Sequence, residues 1–153
     1  MSRSFFVVPS SYVLLRRGTE VLLQLRQNTG YMDGHWACGA AGHVEVDESA
    51  HQAAVRESRE ELDIEVDAAD LNPVCAMHRT GRSDDPTSER VDFFFTVDAW
   101  RGTPRIAEPS KAADLRWHDL ADLPDGVVPH ERVVLDGLQT GDLPSIVQFG
   151  FDA

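Results

Sequence analysis

Residues 42–64 read GHVEVDESAHQAAVRESREELDI, and this stretch decides both the fold and the chemistry. Glu57, Glu60 and Glu61 stand at i, i+3 and i+4. At about 100° per residue, that spacing sets three carboxylates on one narrow arc of a helix. Ser49 is a good capping residue, and Gln52 three positions on completes a capping box, so the helix is expected to start there. It is expected to run to about Leu62, with Asp63 and Ile64 leaving it.

Two features of that arc are unusual for a solvated surface. Glu57 and Glu61 are like charges at i, i+4, which repel by a few tenths of a kcal/mol. Glu60 and Glu61 also fall in the last turn, where the helix dipole is negative and disfavours acids. A divalent cation would reverse both penalties, and an all-carboxylate donor set suits a hard ion such as Mg²⁺, with Mn²⁺ as the alternative. A plainer reading also stands, in which Arg56 with Glu60 and Arg59 with Asp63 are i, i+4 pairs on an exposed helix.

The longer pattern separates the two. Gly42, five residues, Glu48, seven residues, Arg56-Glu57, two residues, Glu60-Glu61 and a closing Ile64 together resemble the signature of the Nudix hydrolase superfamily. Such a set of identities at fixed offsets is far more specific than a lone glycine motif. Two positions depart from it: Ser58 stands where the family has an aliphatic residue, and Asp63 where it usually has glycine. Asp tolerates the left-handed conformation that a helix exit needs. Ser58 shares its arc with Val55 and Leu62 and is expected to thin the packing beneath the helix.

The chain has 153 residues, 42% of them hydrophobic and 26% charged, and is expected to form one domain over residues 1–153. No apolar run approaches the length of a transmembrane span, and no membrane partner is expected. The opening MSRSFFVVPSSYVLL is broken by Pro9-Ser10-Ser11 and reads as a strand entering the fold, not as a signal peptide. Cys38 and Cys75 make no disulfide framework and no zinc pattern, so a cytoplasmic protein with free thiols is expected. A net charge of −12 with no basic stripe argues against a nucleic-acid polymer as partner. A small phosphorylated ligand is compatible with that charge when cations offset it locally.

Around the helix, residues 5–16 and 21–26 are expected to form a hairpin across Arg17-Gly18-Thr19. Gln27 to Gly34 is expected to be an adjustable surface loop. His35 to Gly42 (HWACGAAG) loosely resembles the family's Trp-x-Leu-Pro-Gly-Gly stretch, with Ala40 and Ala41 in place of Pro and Gly and one residue more after Trp36. Residues 71–78 and 91–99 are the next strands, the second rich in aromatics as a central strand would be. The polar segment 79–90 reads as a long loop, whose Arg79, Arg82 and Arg90 either reach phosphates or are solvated charges. Residues 115–117 read as a strand and 119–124 as a short helical turn stopped by Pro124. Pro129 to Leu138 is expected to be the closing helix, with Val133, Val134 and Leu138 towards the core and Gly141 near its exit. Residues 145–151 are expected to add an edge strand or to pack at a homodimer interface.

The resemblance implies an α/β fold of the Nudix type, an α/β/α sandwich with a central mixed sheet. It implies cation-dependent hydrolysis of a nucleoside diphosphate linked to a group X. WRGTPRIAE over residues 100–108 also resembles the mutator-type nucleoside triphosphate pyrophosphohydrolases, so X is expected to be phosphate. ADP-ribose or a nucleotide sugar is the alternative substrate, and a non-catalytic nucleotide-sensing domain or an isoprenoid diphosphate isomerase is the alternative activity. By the same resemblance Glu57, Glu60 and Glu61 are the expected metal ligands. Glu108 and a backbone carbonyl of Ala41 or Gly42 join them. Glu57 is the expected general base, with Glu89 in reserve. Arg56 and Glu48 are expected to form a salt bridge that orients the helix acids. Arg26 and Arg79 are candidate substrate contacts.

Overall fold

The computed structural model describes residues 4–151, so Met1 to Arg3 of the expected opening strand lie outside the described residues. The strand itself, β1, runs Val8–Arg17, and residues 10–15 are all buried. Burial on both faces is what a central strand requires, and the alternation of side chains divides its work. Tyr12 and Leu14 join one apolar cluster, while Val13 and Leu15 join another on the opposite face. Phe5 and Phe6 do not extend the strand and are exposed. The neighbouring strand supplies partners only from Val8 onward, where Val8 pairs with Arg90.

The chain continues through β2 (Glu20–Arg26), β3 (Trp36–Cys38), β4 (Ala40–His43), α1 (Ala50–Leu62), β5 (Asn72–Thr80) and β6 (Glu89–Val97). It closes with β7 (Ala112–Asp119), α2 (Pro129–Thr140) and β8 (Ile146–Phe149). The sheet order is β3-β2-β1-β6-β5-β8, with β4 on β1 and β7 on β2. Two ladders are parallel, β1 with β6 and β5 with β8, and the others are antiparallel. The sheet is therefore mixed, as expected. Helix α1 buries Ala54 and Leu62 on the Val13–Leu15 side, and α2 buries Val134 and Leu135 on the Tyr12–Leu14 side. That is the expected α/β/α layering.

The bounds of α1 agree with the sequence. Ser49 accepts from the Gln52 amide at 3.1 Å, and the Gln52 side chain accepts from the Ser49 amide at 2.8 Å. Such a cap is worth about 1 kcal/mol. Asp63 ends the helix in the left-handed conformation, at φ 55°. Ser58 is fully buried, and its hydroxyl donates to the Ala54 carbonyl at 2.8 Å, so its polar group is satisfied within the helix.

Two of these expectations needed correction. The loop between β5 and β6 is shorter than residues 79–90, because Arg79 and Arg90 pair across the ladder and the turn is confined to residues 81–88. Residues 119–124 keep a single turn, closed by the Asp122 amide on the Asp119 carbonyl at 2.9 Å, and the Asp119 carboxylate accepts from the Ala121 amide and the Thr19 hydroxyl. Val133 is exposed and Leu135 takes its place in the core. Val133 lies about 140° around the helix from Leu138, too far to share a face with it. Residues 146–149 do form the expected edge strand. Among the described residues, no helix is long and apolar enough to cross a membrane.

Candidate active site

Strand β4 leads into α1, and the close approach of the two fixes the first carboxylate. Gly42 pairs with Ser11 on β1 and lies beneath Glu57 of α1. A Cβ on residue 42 would collide with Glu57 Oε1, so glycine is required by space. The obstructing atom is the far end of a side chain, which can swing aside. Gly42→Ala is therefore expected to shift the Glu57 carboxylate and leave the fold in place. We expect kcat/KM to fall about tenfold or more with Tm nearly unchanged, read from kinetics and thermal melts side by side.

Arg56 gathers the remaining acids. Its Nε and Nη2 donate to the two oxygens of Glu48 at 2.7 and 2.9 Å, a bidentate pair. Its Nη1 donates to Glu57 at 2.8 Å and to Glu60 at 3.2 Å, and Nη2 also reaches the His43 carbonyl at 3.0 Å. Hydrogen bonding to Arg56 holds the Glu48 carboxyl down at about 2. Glu57 is buried, and that burial raises its pKa although Arg56 opposes the shift.

Glu61 has no such hydrogen bond from an arginine, although the charge of Arg26 favours its ionised form. Its Oε2 accepts from the Ala41 amide at 2.8 Å. Burial, with the like charges of Glu57 and Glu108 adding to it, pushes its pKa up to about 8 against the opposing Ala41 hydrogen bond. Glu108 arrives from a loop tied to the end of α1. Ala107 N donates to the Glu61 carbonyl at 3.0 Å and Arg105 N to the Leu62 carbonyl at 3.1 Å, satisfying carbonyls that a helix end leaves open. Glu108 itself pairs with Lys111 at 3.4 Å.

Among the described residues, no three His, Cys, Asp or Glu side chains already stand in a coordinating cluster. Glu57 and Glu60 are turned towards Arg56 Nη1. The donor chemistry nevertheless fits a hard divalent cation: every group offers oxygen, and Glu57, Glu61 and Glu108 repel one another. The pKa shift gives this repulsion a measurable consequence in metal-free protein. Between about 4.5, the ordinary value, and about 8, the folded chain keeps a proton on Glu61 that the unfolded chain has released. Stability must then fall as pH rises through that window. With a chelator present, the wild-type Tm is expected to drop between about pH 5.5 and 8.5 more steeply than that of Glu61→Gln, and equal slopes would contradict the shift.

Glu61, Ala41 and Gly42 line a cavity of about 620 Å³. Arg26, Arg79 and Arg90 line it as well. Arg26 is held by the β2–β3 loop, donating to the Tyr31 carbonyl at 2.8 Å and to Thr29 Oγ1 at 3.0 Å, with the Tyr31 ring 5.6 Å away. Arg79 is held by Asp92 of β6. The reserve base Glu89 instead accepts from Thr80 at 2.6 Å and is not among the lining residues.

Sequence reasoning misses two buried acids near this cavity. Asp92 is fully buried inside the apolar run of β6, and a lone acid in such a run is itself a signal. Glu131 lies 4% exposed on α2 in line with Val134, Leu135 and Leu138, at i, i+3, i+4 and i+7. It accepts from the Cys38 amide at 2.7 Å, and burial pushes its pKa up to about 7.

A profile of the NUDIX domain family matches residues 8–138. Among solved structures, the chain is similar to a MutT NUDIX hydrolase from Burkholderia pseudomallei, with 24% identity and a TM-score of 0.75 over 86% of this chain and 97% of that one. It is similar to MutT from Aliivibrio salmonicida and Vibrio cholerae at 22% identity and a TM-score of 0.68, over 89% of this chain and 99% of that one. A bifunctional NMN adenylyltransferase/ADP ribose pyrophosphatase from Francisella tularensis, solved with AMP and a Mn ion, gives 18% identity and a TM-score of 0.64, over 91% of this chain and 43% of that one. No curated protein sequence matches the chain.

Proposed function

The chain belongs to the NUDIX domain family, and from that premise we propose that it hydrolyses a pyrophosphate bond in a nucleoside triphosphate, releasing the monophosphate and pyrophosphate. The observation that carries this reading is one cavity lined both by Glu61 of α1 and by the guanidinium groups of Arg26, Arg79 and Arg90. A polyphosphate bound there meets direct positive charge from arginine and needs a cation between itself and the acids. Glu57, Glu60, Glu61 and Glu108, with a carbonyl of Ala41 or Gly42, would hold that cation. When bound, Mg²⁺ or Mn²⁺ neutralises phosphate charge and acidifies water.

The protein's own part follows from its geometry. Arg56 and Glu48 hold the α1 acids in register. Glu57 receives the proton of the attacking water, and burial, which raises its pKa, makes it a better base than an ordinary carboxylate. Arg26 and Arg79 orient the substrate anion. One neighbour is by its name a NUDIX hydrolase and another an ADP ribose pyrophosphatase solved with AMP, which supports hydrolysis of a nucleotide-class substrate. The thiol chemistry of an isomerase finds no support here. Burial pushes the Cys38 thiol well up, and its Sγ lies 3.2 Å from the Ala40 carbonyl.

A screen of canonical and oxidised nucleoside triphosphates, ADP-ribose, nucleotide sugars and dinucleoside polyphosphates with Mg²⁺ tests this reading by product chromatography. Monophosphate and pyrophosphate from a triphosphate are the expected products. Cleavage confined to ADP-ribose or a nucleotide sugar would replace the proposed X, and no turnover of any compound would remove the enzymatic reading.

A further inference from the structure

The β5–β6 hairpin carries a charge arrangement of which the reaction as described uses only Arg79. Asp92 of β6 is the fully buried centre of it. Arg79, one strand over, donates from Nε to Asp92 Oδ2 at 2.5 Å and from Nη2 to the Tyr12 hydroxyl at 3.2 Å. Arg90, two residues before Asp92, donates from Nη2 to Ser10 Oγ at 2.7 Å and from Nη1 to the Thr87 carbonyl at 3.3 Å. Its Nε lies 3.9 Å from Asp92 Oδ1, too far for a hydrogen bond.

A purely structural ion pair needs one arginine for one acid. Here two guanidinium groups share one carboxylate, so Arg90 has no acid of its own within hydrogen-bond distance, although Glu61, Asp85 and Glu131 also line the cavity. His130 adds no charge, because burial and the nearby arginines drop its pKa to about 3 and keep it neutral. The Arg90 Nε is buried with no hydrogen-bond partner, an arrangement that costs free energy unless a ligand or water completes it. Both arginines line the same cavity as Glu61.

We propose that Asp92, with Ser10 and Tyr12, is a positioning residue that holds Arg79 and Arg90 as a preset clamp for the anionic end of the substrate, in the cavity that Glu61 also lines. This rests on the hydrolase reading for the identity of the reaction, and it deepens that reading by assigning the part of the substrate held by the hairpin. The ligand chemistry is a multiply charged phosphate oxyanion. Guanidinium groups fixed in advance lose little side-chain freedom on binding it, which a solvated arginine would lose. An aliphatic or uncharged X would leave both guanidinium groups without an anionic partner.

The probe is inorganic tripolyphosphate, titrated calorimetrically into the wild type and variants without added divalent cation, beside steady-state kinetics on the screened substrates. Arg90→Gln and Arg79→Gln are expected to weaken tripolyphosphate binding at least tenfold. The decisive variant is Asp92→Asn. If Asp92 acted only through its charge, its removal would tighten anion binding, since one negative charge leaves. As a positioning residue, its removal is expected to weaken binding about tenfold and to raise KM much more than it lowers kcat. Should Asp92→Asn fail to fold, Tyr12→Phe replaces it: the ring stack on Phe94 at 4.5 Å remains, and the hydroxyl is lost as a partner of Arg79 and of the neutral His130. That variant is expected to weaken binding about threefold or more. Tighter binding in Asp92→Asn, or unchanged binding in Arg79→Gln and Arg90→Gln, would overturn the clamp. The two readings fail separately. Arginine-dependent binding with no hydrolysis of any substrate keeps the clamp and removes the hydrolase, whereas hydrolysis with arginine-independent binding does the reverse.

Discussion

Glu61→Gln is expected to lower kcat by about 10²–10³-fold, the scale of losing one group that stabilises transition-state charge, while the fold persists. The amide oxygen of the substituted side chain still accepts from Ala41 N, so β4 and α1 remain joined at the 2.8 Å contact. What disappears is an acid whose ionised form burial disfavours despite the charge of Arg26, so the metal-free Glu61→Gln variant should melt no lower than wild type at about pH 8. Glu57→Gln is expected to lose activity on the same scale. Arg56 then keeps both oxygens of Glu48 and stays in place, which protects the helix from the change. Kinetics and circular-dichroism melts on the same preparations check both variants. A loss of activity matched by an equal loss of folded protein would contradict the assignment of these acids to chemistry.

Arg56→Met is expected to act in the opposite sense, on stability and metal affinity together. Arg56 satisfies Glu48, Glu57 and Glu60 and the His43 carbonyl at once. Its removal leaves acids that are partly buried and mutually repelling. The side chain is 24% exposed, so the cost should be about 2–3 kcal/mol, below the roughly 3–5 kcal/mol of breaking a fully buried pair. Cation affinity should fall about 10–100-fold, as when a group that orients metal ligands is lost. Arg56→Lys should recover little, because a single ammonium cannot reproduce the fork that spans Glu48. Chemical denaturation and cation titration separate the two effects.

Much of this is legible in the residues. Ser49 with Gln52 and the Asp63 exit give α1 its bounds, since capping is local chemistry written within four residues. The spacing of Gly42, Glu48, Arg56, Glu57, Glu60 and Glu61 places the site, and the structure shows why Gly42 must be small. Contacts made by distant segments are less visible. Glu108 approaches Glu61 because the loop before it donates to the last carbonyls of α1, and no local pattern announces such bonds. Hydrophobicity alone puts Val133 in the core, although its position on the helix wheel excludes it. Glu131 follows the periodic arc of α2, yet its charge hides it among residues expected at the surface. Asp92 escapes notice inside FFF-rich β6 for the converse reason, since such a strand is read for its apolar residues.

The central claim is that the α1 carboxylates hold a catalytic divalent cation. Paramagnetic resonance of Mn²⁺ titrated into the wild type, Glu57→Gln and Glu61→Gln tests it most directly, with turnover followed on the same samples. The account predicts that wild type takes up Mn²⁺, that each substitution weakens uptake by about tenfold or more, and that activity tracks occupancy. Uptake unchanged in both variants, or activity indifferent to the cation, would contradict it.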